Sequence, residues 1–361
     1  MVPNPEVDAL ADKFHGHLGS SKWTLCIGAG VSRDIVPTWQ ELTRLLVNDT
    51  FGTTFSPAEF EEHIKQLTWS LDSWIQACAN HHRLQGHSSD EIYRHIETHL
   101  YGQLRATAKG TGLEDVLVKV LNRPRTSAKD AVTKICNFFE TKYSHSTLLQ
   151  VTRVLLKAIE QGNPPEAIIS FNADTLLHTL IELFQRKAHY SGPPPYSHPQ
   201  YTFKSVLRPL DSCKDLIPIY HCHGAIKPRG LVSAKPPRDA RDRLVFLEDE
   251  YLRVATTTGS WPETLFLFYA QTTRLVMIGV SMADPNMRRW LSLANQSALQ
   301  DVAAFSSAAA MTPRHLWLTC SPKEAFMRKM RGEALVHLGV RPAWIANWAQ
   351  AESAIKNLLA I

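Results

Sequence analysis

The stretch Trp23 to Ser32, WTLCIGAGVS, constrains the fold more than any other part of this 361-residue chain. An apolar run, Leu25-Cys26-Ile27, stops abruptly at Gly28-Ala29-Gly30. The next segment, VPTWQELTRLL, places Thr38 and Glu41 at capping-box spacing and Trp39, Leu42, Leu45 and Leu46 on one helical face. Strand, glycine turn and helix in that order open a nucleotide-binding βα unit. Gly28 and Gly30 suit close approach of backbone amides to a pyrophosphate, and a tight turn after a core strand would need the same residues. The third glycine of G-x-G-x-x-G is missing, since Arg33 holds the sixth place.

From about residue 56 to 161 the pattern is helical throughout. Ser56-Pro57-Ala58-Glu59 starts a helix, followed by Phe60, Ile64, Leu67, Leu71, Trp74 and Cys78 at spacings of three and four. Ser88 to Glu91 opens another, with Ile92, Ile96 and Leu100. Further helical runs cover 116–121, 132–139 and 148–159. Strands return with Ala167–Phe171, then around Ile219, then in RLVFLEDEY, TRLVMIGVS and HLWLTC, with helices between them. Residues 191–199 read as a rigid loop and 303–313 as a small, polar, mobile stretch. Alternating strands and helices predict an α/β fold, a Rossmann-like and mostly parallel sheet with helices on both faces. The expected division is a core of residues 1–55 and 162–361, interrupted by a helical insertion subdomain at 56–161.

Composition narrows the function classes. Lys and Arg number 39 against 34 Asp and Glu, a formal charge of +5. That mild excess fits an anionic ligand, and with no dense basic block it does not point to direct sequence-specific binding of nucleic acid. The six cysteines contain no C-x-x-C, which excludes a zinc ribbon. MVPNPEVDALADKF lacks the layout of a signal peptide, and no apolar run approaches membrane-spanning length. The expectation is a reduced, cytoplasmic protein without membrane association.

Four polar sequences fall at four expected strand ends, where open α/β sheets bind ligands: GAGVS, FNAD, HCHG and GVSMADP. In FNAD, the Asn172 amide can orient a ribose hydroxyl or a water, and Asp174 could equally be a helix N-cap. His221 and His223 would share a face if both lay in a strand; each could also be a buried, satisfied imidazole. Ser281 follows Gly279, and Asp284-Pro285 reads as a cap and first helical residue. The pairs His81/His82 and His95/His99, with Glu97 between the latter, read as a solvated helix face.

Together these motifs resemble the sirtuin superfamily: IGAGVS its first glycine turn, FNAD its T-Q-N-x-D segment, HCHG its H-G segment and GVS its G-T-S segment. The likeness spans residues 24–54 and 164–296 and omits the helical middle. The absent zinc ribbon, together with Ser32, Pro37-x-Trp39 and GxSxxDPN, resembles more closely the sirtuin-like domains of bacterial anti-phage defence systems. Those domains resemble NAD+ glycohydrolases more than deacylases, and a chain of this layout is similar to the subunit that pairs with a HerA-type ATPase. The resemblance implies NAD+ as substrate and no zinc or other metal. It further implies Asn172 and His223 as catalytic residues, and Gly28, Ala29, Gly30, Ser32, Trp39, Asp174, Gly279, Ser281 and Asp284 around the nucleotide. A homo-oligomer with a HerA-type ATPase partner in a bacterial cytoplasm follows as the expected setting, with the insertion or the N-terminal segment in the contacts. A zinc-free protein deacylase and a non-catalytic NAD+- or ADP-ribose-binding subunit are the alternatives.

Overall fold

The computed structural model describes residues 22–191, 202–207, 211, 213–228, 245–257, 259–303 and 313–361. The loop expected at 191–199, the mobile stretch at 303–313 and the N-terminal segment fall almost wholly outside these residues. So does the first part of RLVFLEDEY.

Strand β1, Trp23–Ile27, is buried along its whole length. It runs parallel to β2, Ala167–Ser170, on one side and to β5, Arg274–Ile278, on the other. Adding β3 (Phe203–Val206), β4 (Ile217–His221), β6 (His315–Cys320) and β7 (Val340–Ile345) gives a seven-stranded parallel sheet among the described residues, in the order β3-β4-β2-β1-β5-β6-β7. The chain winds outward from β1 through β2, then crosses back to β5, so the switch point lies between β1 and β5. Residues on alternate sides of the strands enter two apolar clusters. Leu25, Ile27, Ile168 and Val276 belong to the larger, and Cys26, Ile169, Leu275 and Met277 to the smaller. On the smaller side α10 (Trp261–Thr272) and α11 (Pro285–Ala303) supply Phe266 and Trp290.

The helical middle comprises α2 (Pro57–Leu67), α3 (Leu71–Leu84), α4 (Ser89–Lys109), α5 (Glu114–Asn122), α6 (Lys129–Lys142) and α7 (Thr147–Glu160). Both helix starts expected there form, each closed by a capping box, Ser56 with Glu59 and Ser88 with Glu91. Before them, α1 (Trp39–Phe51) starts at Thr38, whose hydroxyl accepts from the Glu41 amide at 3.3 Å. The apolar series from Phe60 to Cys78 is two helices, not one. Thr68 adopts φ +55° and ends α2, and the Ser70 hydroxyl then caps α3. The apolar spacing stays in phase across this break, which hides it from a periodicity count. Phe60, Tyr101, Phe139 and Val154 join the same cluster as the larger face of the sheet. We propose that 56–161 is an insertion in sequence that shares its core with the sheet.

Two further expectations change. RLVFLEDEY is not a strand in its described part: Val245 to Leu247 are irregular and α9, Glu248–Thr256, follows. The Glu250 carboxylate accepts from the amides of Phe246 (2.9 Å) and Leu247 (3.1 Å), which fixes a helix start. The short edge strand β3 was not expected. The remaining helices are α8 (Leu176–Ser191), α12 (Ala325–Val336) and α13 (Ala351–Leu359).

Candidate active site

At the switch point the two glycine turns lock together. The Gly28 amide donates to the Ile278 carbonyl and the Gly30 amide to the Gly279 carbonyl, each at 3.0 Å. A Cβ on Gly28 would lie 2.6 Å from the Gly279 oxygen, and one on Gly30 2.9 Å from the Gly279 Cα. Gly279 itself has φ +66°, and its Cβ would meet the Val31 nitrogen at 2.4 Å. These glycines are small because backbone meets backbone, and two amides expected to face a phosphate already donate to carbonyls.

Next to this seam lies a cavity of about 600 Å³. It is lined by Gly28, Ala29, Gly30, Trp39, Asp174, His223, Gly279, Ser281 and Asp284, nine of the eleven residues expected from the sequence. Ser32 and Asn172 do not line it. Both are buried behind the wall, where the Asn172 amide donates to Ser32 Oγ at 3.2 Å and to Asp174 Oδ2 at 3.4 Å. Asn172 Oδ1 is buried without a hydrogen-bond partner. Three of the four motifs thus form two physical units: the glycine seam of GAGVS with GVSMADP, and a side-chain network joining the GAGVS turn to FNAD.

Asp174 lies one residue before the cap position of the next helix, Thr175, whose carbonyl accepts from the Thr179 amide. Asp174 Oδ1 accepts from the Leu176 amide at 2.9 Å at the start of α8, while the residue also faces the cavity. Burial raises its pKa, against the pull of hydrogen bonds from Leu176, Ser32 and Asn172. Asp284 caps α11, accepting from the amides of Asn286 (2.8 Å) and Met287 (3.1 Å), and lines the cavity as well.

The two histidines of HCHG part company. β4 ends at His221; Cys222 and His223 lie in a turn closed by the Gly224 amide on the His221 carbonyl, with Gly224 at φ +71°. The rings therefore do not share a strand face. His221 is buried with both ring nitrogens unpartnered, and burial, then the charges of His178 and Lys227, lower its pKa to about 3. His223 lines the cavity, with its ring edge-on to Phe171 at 5.2 Å. Burial lowers its pKa too, against the opposing charge of Asp284, so the imidazole is neutral and able to take a proton at pH 7.

Several contributors gave little or no sign of themselves in the sequence. Leu71, Asp72 and Leu100 bring the helical middle into the cavity wall, joined by Phe246 and Tyr251. Trp39 packs against Phe246 at 5.0 Å and hydrogen-bonds Asp72, whose pKa burial raises. Tyr101 on α4 donates to the Ile226 carbonyl at 2.6 Å and accepts from the Thr175 amide at 3.3 Å. It thereby pins the loops after β2 and β4, which also meet in a parallel bridge between Asp174 and Ile226. A tyrosine on the buried stripe of α4 was the available signal for this role; nothing marked Asp72 beyond a place in a first helical turn.

Asp72, Asp174 and Asp284 all face the cavity, and no lysine or arginine does among the described lining residues. Such a surface stabilises positive charge developing on a ligand. No helix among the described residues is long and apolar enough to cross a membrane, and all six cysteines are free.

No curated protein matches the chain. Residues 166–342 match the SIR2-like domain family. The matched span takes in FNAD, HCHG and GVSMADP and leaves the GAGVS turn outside. It supports a sirtuin-like family and an NAD+-related function for the chain.

Proposed function

We propose that the chain is an NAD+ glycohydrolase. The observation that carries this reading is the cavity at the β1–β5 switch point, where three carboxylates and one neutral imidazole converge with no facing cation among the described residues. Cleavage of the nicotinamide–ribose bond sends its electron pair to the pyridinium nitrogen, so nicotinamide leaves neutral and needs no general acid. Positive charge grows on the ribose as an oxocarbenium-like centre, which carboxylates favour. Water then bonds to the anomeric carbon, and His223 takes the proton it loses. Asn172, with one amide hydrogen held by Ser32, fixes the floor beneath that water, and Asp174 suits the nicotinamide carboxamide. Gly28, Gly30 and Gly279 shape the cavity, while Ala29, Trp39, Ser281 and Asp284 line it around the nucleotide.

Incubation with NAD+ tests the reading. Nicotinamide and ADP-ribose should appear in equal amounts, and His223→Ala should abolish both. Product only in the presence of an acylated peptide, as O-acyl-ADP-ribose, would replace hydrolysis by deacylation. Binding of NAD+ without any product would leave a nucleotide-binding subunit. The reading extends to a role in anti-phage defence through NAD+ depletion in a bacterial cytoplasm, by a homo-oligomer gated by a HerA-type ATPase. Exposed Leu67, Trp69 and Leu84 on the helical middle are compatible with subunit contacts, and so are Phe326 and Met330 on α12. Size measurement of the chain, alone and with the ATPase, checks that extension.

A further inference from the structure

Away from the cavity, α3 and α4 bring three histidines together. One ring nitrogen from each of His82, His87 and His95 lies within 4.8 Å of the other two. None of the three lines the cavity. His82 is only 8% exposed, although the sequence placed it on a solvated face. Its Nε2 meets Thr50 Oγ1 at 3.2 Å, and its Nδ1 is buried with no hydrogen-bond partner. His87 Nδ1 is in the same condition. The His95 ring stacks on that of His82 at 4.6 Å between centroids, and its Nδ1 is held by Asp49 Oδ2 at 3.0 Å. The second nitrogen of that ring, Nε2, is thereby left for a ligand.

The geometry points to a metal site in which His82, His87 and His95 bind one first-row divalent cation of the zinc class. Three nitrogen donors without a carboxylate in direct reach suit a borderline cation and not calcium or magnesium. Zinc–nitrogen bonds of about 2.0–2.1 Å in a tetrahedron bring donor atoms closer than the 4.8 Å limit seen here, so the rings draw inward on binding. A fourth position stays open to water. Asp49 on the far side of His95 completes a carboxylate–histidine–metal arrangement that fixes the tautomer and raises the basicity of the ligating nitrogen. Thr50 does the corresponding job for His82.

Such a site clasps four places along the chain. Asp49 and Thr50 belong to α1, His82 to the end of α3, His87 to the turn after it and His95 to the second turn of α4. Helices α3 and α4 also carry Leu71, Asp72 and Leu100 to the cavity, and Tyr101 to the loops that frame it. Occupancy would therefore stiffen the cavity wall without touching substrate.

The test uses the untagged full chain, stripped with a chelator and titrated with zinc alone by calorimetry, and with cobalt(II) by visible absorption. The expected result is one ion per chain, four-coordinate cobalt bands, and a zinc-dependent rise in melting temperature. His87→Ala and His95→Gln should each remove stoichiometric binding and the thermal rise while leaving the far-ultraviolet circular dichroism unchanged. Asp49→Asn should weaken binding roughly 10–100-fold. His337→Ala, at an exposed histidine elsewhere, should change nothing. Absence of stoichiometric binding in the parent chain overturns the site, as does binding that survives both His87→Ala and His95→Gln.

Discussion

The two sides of the cavity are held by different means. On the β1–β5 side, Gly28, Gly30 and Gly279 bring main chain against main chain: the nearest atom to a Cβ on each belongs to the backbone, with the Val31 Cγ2 methyl next at Gly279. On the β2–β4 side the loops are tied by side chains: Asn172 to Ser32 and Asp174, and Tyr101 to Ile226 and Thr175. A backbone seam tolerates no substituent, since there is no flexible group to move aside. A side-chain network can lose a member and keep its shape. The first side sets where a ligand can sit, and the second sets what it meets there.

The strongest way to break this contrast is Gly279→Ala. The new Cβ would press on the Val31 nitrogen from a left-handed backbone, so a loss of about 4 kcal/mol or more is expected in denaturant unfolding. A loss below about 1 kcal/mol would show that the seam yields, and the distinction would fail.

Acid sharpens the comparison from another direction, because each half of the sheet buries a neutral histidine. His221 ends β4 and His315 begins β6, where its Nδ1 accepts from the Leu275 amide at 3.2 Å. Burial is the leading cause that lowers both to about 3, against 6.5 for a free imidazole. Between pH 6.5 and 3 the unfolded chain binds protons that the native one refuses, so stability falls as pH falls, by about 1.4 kcal/mol per pH unit for each histidine. Unfolding free energies at pH 6.5, 5.5 and 4.5 should give a shallower slope for His221→Asn and for His315→Asn alike. An unchanged slope in either variant removes that histidine from the account.

Tyr101→Phe should cost about 1–3 kcal/mol, since the Ile226 carbonyl loses its buried donor. Nicotinamide release should fall with it, as the loops carrying Asp174 and His223 loosen. Full activity in this variant would mean that the bridge between Asp174 and Ile226 suffices alone. The smallest effect on stability, within about 1 kcal/mol, is expected for Asn172→Ala. It gives up a bond to Ser32 and a long one to Asp174 but also removes Oδ1, a buried acceptor that has no partner. Activity should nevertheless be lost, and normal turnover would remove Asn172 from the proposed mechanism.

What could be read from the sequence were the features written in consecutive residues. An apolar run meeting GAGVS, Asp174 just ahead of a helix, and Ser-x-x-Glu at two helix starts each carry their meaning within a few positions. The reason Gly30 must be small was not legible, because its neighbour is Gly279. The break between α2 and α3 hid behind unbroken apolar spacing, and β3 spans only Phe203–Val206 at the sheet edge. His82 looked solvated beside His81 because nothing in the local pattern tells that Thr50 and His95 cover it. Side chains of the helical middle reached the cavity by long-range packing that no local signal encodes.

The place of β1 in the sheet bears on how the molecule comes into being. β1 emerges first among the described strands, yet its partner β5 arrives late: the Thr273 hydroxyl that bonds Thr24 is 249 residues further along. Parallel contacts of such separation form slowly, after the entropy of closing a very long loop has been met. During synthesis, then, Gly28 and Gly30 have nothing to close against until Gly279 has left the ribosome. A truncated or nascent chain ending before β5 has no seam, hence no cavity. The switch-point topology delays competence until β5 and the glycine after it have been made.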